Sequence, residues 1–325
     1  MKTFTNPILP IGPDPFALWH DGAYYAMVTE QTRIRLMKTT DITRLSEAES
    51  TVVFEPPINT GEDFPAACCL WAPEIHSVMG RWHIYFTATS ADGDDLRRRI
   101  FVLCGPQADR DPMDGPWAYA GQLEIPVERY AIDGTVLEDA GRTYFLWSSK
   151  LTMTDGWWQH LMIAEMLDPL TLGDREVVLS APTQAWERDL QPTNEGPQVL
   201  RHGSEVWLGY SGSAFWSTNY AIGFLRARSG DDLMDPASWT KMGRAFFRQK
   251  PEAGVYGPGH ASFVRSPDGR EDWLLYHAWA TAEPEIRVEG RSPRLQRIEW
   301  TASGEPDLGE PVGLKTPLPV PSGTA

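Results

Sequence analysis

The sequence predicts an all-β protein, a five-bladed β-propeller, on three observations. The first is internal repetition. An acid or an imidazole, a short apolar run, a glycine-bearing turn and a strand rich in aromatic and aliphatic residues recur from Asp14, Glu74, Asp133, Glu195 and His260. A period of about 60 residues gives each unit two clear strands and room for two more, the make-up of a propeller blade. The second is composition, with 14 Trp, 10 Tyr and 12 Phe for packing and 28 Gly and 27 Pro for turns among 325 residues. The third is that no helical stripe of any length interrupts the repeats. Innermost propeller strands stand side by side round one axis, so residues at equivalent strand entrances converge at one end of the channel. Two Asp, two Glu and one His therefore meet in one funnel. Repeats running from residue 14 to about 316 predict a single domain over 1–325.

The first blade is fed by an extended, proline-punctuated segment over residues 5–13. Asp14 lies between Pro13 and Pro15, which restrict the backbone on both sides and suit a carboxylate held in one direction. An isolated Asp-Pro is a turn signal; the place of Asp14 at the head of a repeat favours the fixed carboxylate. The blade continues through Phe16, an alternating strand at Arg33–Lys38 and Thr51–Phe54. A Pro/Gly/acid-rich connector from Pro56 to Pro65 is placed to overhang the funnel.

Leu70–Glu74 enters the second blade. Trp71 has two readings, an aromatic wall for a ligand ring or a plug between blades. Adjacent Cys68 and Cys69 are expected to be small buried hydrophobes, and three cysteines make no disulfide framework. A long loop runs from Gly105 to Trp117. The third blade opens at Ala131–Thr135, where Asp133 sits at a strand entrance and Gly134 allows close approach. Trp157-Trp158 follow in a loop, as packing or as a stacking surface.

The fourth blade opens at Asn194-Glu195-Gly196-Pro197. The fifth is entered through Gly257-Pro258-Gly259-His260, whose two glycines give the chain freedom to bring the imidazole to the axis. A last strand, Arg291–Trp300, puts Arg294 and Gln296 on one face, as a solvated basic edge or as a guanidinium reaching the funnel.

A net charge of −15 and a pI near 4.9 argue against nucleic acid or an anionic membrane as partner and are compatible with a neutral small molecule such as a sugar. The residues from Met1 to Pro10 lack the apolar core of a secretory signal and no run is long enough to span a bilayer, which predicts a cytoplasmic protein. Carboxylates in an aromatic-walled cleft suggest glycoside hydrolysis. An inverting mechanism needs a base for water and an acid for the leaving oxygen, roughly 6.5–9.5 Å apart, a spacing that opposed blades provide. A third acid would raise the pKa of the proton donor by like-charge repulsion.

Asp14-Pro15, Trp71–Glu74, Ile132–Gly134, Glu195–Pro197, Gly257–His260 and Gly290-Arg291 with Gln296 together resemble glycoside hydrolase family 43 over nearly the whole chain. The resemblance implies a five-bladed propeller acting on arabinosides or xylosides, with Asp14 as general base, Glu195 as general acid and Asp133 as the acid that tunes and orients Glu195. It also implies Arg291 as a contact to sugar hydroxyls, and His260 near a buried water or metal ion. No cofactor is required, although a structural Ca2+ or Na+ on the axis is compatible. Trp71, Glu74 and Phe16 complete the expected substrate-binding set, Glu74 standing next in line as base. The chain shows no C-terminal β-sandwich of the kind many family β-xylosidases carry, which favours an exo-acting α-L-arabinofuranosidase releasing arabinose from arabinan or arabino-oligosaccharides. A β-D-xylosidase on the same fold is the alternative. A non-catalytic carbohydrate-binding propeller is the alternative from another class, and it would not need three acids at three strand entrances.

Overall fold

The computed structural model describes residues 2–57, 64–152, 158–283 and 290–324. Trp157 and parts of the connectors at 56–65 and 151–158 fall outside the described residues. Five four-stranded antiparallel sheets follow one another along the chain, each a meander in sequence order. Their first strands are Phe16–His20, Cys68–Val78, Ala131–Asp139, Asn194–His202 and Tyr256–Arg265. These first strands lie against one another in a closed ring, blade five returning to blade one. The fold is the predicted propeller.

The core is divided accordingly. Five apolar clusters of described residues each fill the wedge between two neighbouring blades. Trp82, Trp147, Trp207 and Trp273, all on second strands, are buried in these wedges. Truncating one of them to Ala would cost ~3–5 kcal/mol. The ring is latched by Thr3–Phe4, which pairs antiparallel with Leu318–Pro319. Asn6 reinforces the latch: its side chain accepts from Leu295 N (2.8 Å) and donates to Leu295 O (3.1 Å). Beyond the sheets there are short 3-10 turns, such as Ile42–Glu47, capped where Thr43 N donates to Asp41 Oδ1 (3.0 Å).

One device recurs at every strand entrance. Asp14, Ala72, Asp133, Gly196 and His260 all have a left-handed backbone, with φ between 43° and 56°. In blades two to five this residue interrupts the ladder as a bulge. Asp and His tolerate this conformation better than most side chains, yet each such residue still costs about 1–3 kcal/mol and must be held by its surroundings. At four of the five entrances the holding group is a side chain on the second strand of the preceding blade, or just after it. Asp14 N donates to His277 Nδ1 (3.0 Å), Ala72 N to Thr29 Oγ1 (2.8 Å), Asp133 N to Thr87 Oγ1 (3.1 Å) and His260 N to Ser211 Oγ (2.8 Å).

This register corrects the sequence alignment of the repeats. Ala72, and not Glu74, is the counterpart of Asp14, Asp133 and His260, and Glu195 stands one residue before its own left-handed residue, Gly196. Two residues further along each strand lies a second layer of Phe16, Glu74, Thr135, Gln198 and Ser262.

Candidate active site

At the mouth of the axis is a cavity of about 810 Å3, counted to its open end. Its walls include Asp14, Asp133, Glu195, His260, Arg291 and Trp71. The structure thus brings together six of the eight residues expected from sequence. The other two lie one layer down. Glu74 is buried, bonded to His76 Nε2 (2.8 Å) and to Gln198 Nε2. Phe16 packs in the wedge between blades one and two, its ring 5.2 Å from that of His76. Neither lines the cavity, and each stands two residues past the left-handed residue of its strand.

Asp14 is built to stay ionised. Its Oδ1 accepts from Arg291 Nη1 (2.8 Å), its Oδ2 accepts from Thr29 Oγ1 (2.7 Å), and His260 Nδ1 stands 3.4 Å from Oδ1. Burial alone would raise its pKa, but the charges of Arg291 and His260 and the Thr29 bond outweigh it and hold the carboxyl well below the usual range. His277 accepts the Asp14 N–H through Nδ1, so its own proton is assigned to Nε2, and burial beside Arg291 keeps it neutral.

Glu195 sits in the opposite regime. Oε1 accepts from Tyr220 Oη (2.8 Å) and Oε2 from Gln159 Nε2 (2.8 Å). Burial raises its pKa against those two bonds, with the charge of Asp14 acting in the same upward direction. Asp133 is likewise buried, and burial together with the charges of Glu195 and Asp14 pushes it up to about 7, against the pull of His260. Asp133 and Glu195 titrate as a pair, so the proton one of them keeps at neutral pH belongs to both. His260 is driven the other way: burial would lower it, but Asp14, Asp133, Glu195 and Glu74 raise it, favouring an imidazolium among the acids.

Several supports were not anticipated. Thr29, His277, Tyr220 and Gln159 hold the acids, and Thr87 and Ser211 hold the bulges. A signal existed for some of them: Thr87, Ser211 and His277 are polar residues near the ends of otherwise apolar second strands. On the rim, Trp71 Nε1 donates to Gln31 Oε1 (2.8 Å), and the Arg98 guanidinium covers the Trp71 ring at 3.1 Å from its centroid. Lys150 stands 4.0 Å over the Tyr130 ring and 3.9 Å from Asp95.

Other expectations are corrected. Arg294 is fully buried within blade five, reaching Ala278 O at 3.5 Å, and Gln296 donates to Leu308 O (2.7 Å) and Glu310 O (2.9 Å), so this pair is neither a solvated edge nor part of the mouth. Of the two glycines before His260, Gly257 takes a positive φ, whereas Gly259 is needed for space, since a Cβ there would meet the Tyr220 ring at 2.1 Å. Cys68 and Cys69 are half-buried and joined as a vicinal disulfide, not a pair of buried hydrophobes. Among the described residues no group of three His, Cys, Asp or Glu side chains is placed to hold a metal ion.

One carboxylate held ionised and a buried pair whose pKa values are raised, facing one small cavity on a propeller axis, are the equipment of a glycosidase. The chain belongs to glycoside hydrolase family 43: the profile described as Glycosyl hydrolases family 43 matches residues 4–306. It is 36% identical over 317 residues to the extracellular exo-α-(1→5)-L-arabinofuranosidase of Streptomyces avermitilis, covering 95% of this chain and 64% of that protein. It is 35% identical to the enzyme of the same name from Streptomyces chartreusis, covering 85% of this chain and 82% of that one. The crystal structure of an α-L-arabinofuranosidase from Lactobacillus brevis superposes with a TM-score of 0.86 at 30% identity, covering 96% and 98% of the two chains. The chain thus spans less than two-thirds of the length of the S. avermitilis protein. The two Streptomyces relatives are named extracellular, which overturns the expectation of a cytoplasmic protein. That expectation rested on the residues after Met1, which carry no information about compartment when a chain matches only part of its relatives.

Proposed function

We propose that the chain is the catalytic unit of an exo-acting, inverting α-L-arabinofuranosidase that releases arabinose from arabinan or arabino-oligosaccharides. The observation that carries the reading is the unlike setting of two carboxylates on one cavity: Asp14 bonded to Arg291 and held ionised, Glu195 buried beside Asp133 with its pKa raised. Asp14 takes a proton from water as the water oxygen bonds to the anomeric carbon. Glu195 gives its proton to the glycosidic oxygen as the carbon–oxygen bond breaks, and the shortened sugar leaves as an alcohol. The anomeric centre inverts, because water and leaving group occupy opposite faces. Arg291 and His260 keep Asp14 anionic without competing for the proton. The names of the relatives support an arabinofuranoside as substrate.

The test is nitrophenol release from the α-L-arabinofuranoside and the β-D-xylopyranoside, with Asp14→Ala as control. Preference for the arabinoside, lost in the variant, is expected. Preference for the xyloside would replace the substrate and keep the mechanism; sugar binding without turnover of either would remove the hydrolase reading.

A further inference from the structure

We infer that the turn from Ser213 to Tyr220 forms the subsite for the departing sugar, with the ring next to the cleaved bond seated on Trp216. The inference rests on the arabinofuranosidase reading and adds the side of the mouth over which the rest of the substrate passes.

The direction follows from the chemistry. Glu195 must reach the glycosidic oxygen, so the ring beyond that oxygen lies on the side of blade four, and the side of Asp14 belongs to water. On that side Phe215 and Trp216 line the same cavity as Glu195. Trp216 is 38% exposed and Leu190 is 64% exposed, which leaves large apolar surface at the rim of a polar site. Phe215 and Trp216 meet edge to face, centroids 5.0 Å apart at 89°, and the Arg291 guanidinium lies 4.6 Å from the Phe215 ring. A sugar ring presents one face of C–H groups, which suits an aromatic surface whose other contacts are already fixed.

The turn is also ordered far beyond the need of a surface connection. Asp189 holds it from the neighbouring loop: its carboxylate accepts from Ser217 Oγ and from Asn219 Nδ2 (2.9 Å), and its carbonyl accepts from Ala214 N (3.2 Å). Gln249 Nε2 donates to Asn219 Oδ1 (2.6 Å). The turn ends at Tyr220, whose hydroxyl donates to Glu195 Oε1. One rigid segment thus carries both a hydrogen-bond donor of the acid and the aromatic surface beside it, so leaving-group position and acid position are set together. Rigid placement spares the ordering entropy that a mobile platform would lose on binding.

The experiment compares kcat/KM for α-1,5-linked arabinobiose and methyl α-L-arabinofuranoside. Both leaving groups need the proton of Glu195, but only the first has a ring. Trp216→Ala is expected to lower kcat/KM for the disaccharide about tenfold, the size of one lost aromatic contact. The methyl glycoside should stay within about twofold, which also shows that the variant is folded, and Trp216→Phe should restore most of the loss. Equal losses on both substrates, or no loss on the disaccharide, would overturn the subsite. A wild-type enzyme that cleaves neither arabinoside would overturn the arabinofuranosidase reading and the subsite with it.

Discussion

Gly196 donates its backbone N–H to Asp133 Oδ2 at 3.1 Å, so the acid on blade three holds the peptide unit that immediately follows the acid on blade four. At the four other strand entrances the same N–H goes to a neutral group, on Thr29, Thr87, Ser211 or His277. Only here has a carboxylate taken that place, and it does two things at once. It fixes the backbone that aims Glu195, and it puts a second negative charge beside the proton donor.

Replacing Asp133 by Asn keeps the shape and removes the charge. Burial and mutual repulsion raise the pair, with Asp133 pushed up to about 7, so activity in the native enzyme falls as pH rises through the loss of that proton. Without the repulsion Glu195 loses its proton at lower pH. The alkaline limb of kcat/KM in Asp133→Asn is therefore expected to move acidward, as measured on a substrate with a sugar leaving group. An unmoved limb would separate Asp133 from the titration of the donor.

The acid limb belongs to Asp14, which works only when ionised. Burial raises its pKa while the charges of Arg291 and His260 lower it further than burial raises it. Arg291→Met removes one of those charges and leaves the burial, so the acid limb should move toward neutral pH. Linkage gives the matching stability effect. A depressed carboxyl pKa stabilises the fold above the unfolded value and loses that stabilisation as pH falls through the folded value. Acid unfolding of the variant followed by circular dichroism should begin at a higher pH than in the native protein.

Glu195→Ala removes the proton donor and leaves the base. Hydrolysis of arabino-oligosaccharides should fall by about 10²–10⁴-fold, with a much smaller loss on aryl arabinosides whose leaving groups depart unprotonated. Equal losses on the two substrate types would take the acid role away from Glu195.

Gly259 has an ordinary φ, so Gly259→Ala tests space without backbone strain. The added carbon would meet the Tyr220 ring at 2.1 Å and displace the tyrosine that donates to Glu195. Overpacking of this kind costs about 1–3 kcal/mol. A lowered melting temperature together with lost turnover is expected, whereas an unchanged melting temperature would show that the wedge yields.

The propeller was legible because each blade repeats one phrase and each acid stands beside a proline or glycine. The same phrase misled at Glu74. From sequence, Trp71–Glu74 and Ile132-Asp133 look alike in ending on an acid, but the left-handed residue is Ala72, and a shift of two positions takes Glu74 from the mouth into the channel. Phe16 misled for the same reason. The supports of the acids come from other blades and loops: Tyr220 reaches Glu195 from 25 residues away, and Arg291 reaches Asp14 from 277. Nothing in local spacing announces such pairs. The opposite pKa shifts of Asp14 and Glu195 were likewise out of reach, because they depend on burial and on where Arg291, His260 and Asp133 stand in space.

The central claim is that Asp14 and Glu195 act from opposite sides on water and leaving group in one displacement. The most direct measurement is proton NMR of the sugar first released from an α-L-arabinofuranoside, recorded before mutarotation. The account predicts the β-anomer first. The α-anomer first would contradict it, because retention requires a covalent intermediate and a carboxylate nucleophile that this geometry does not assign.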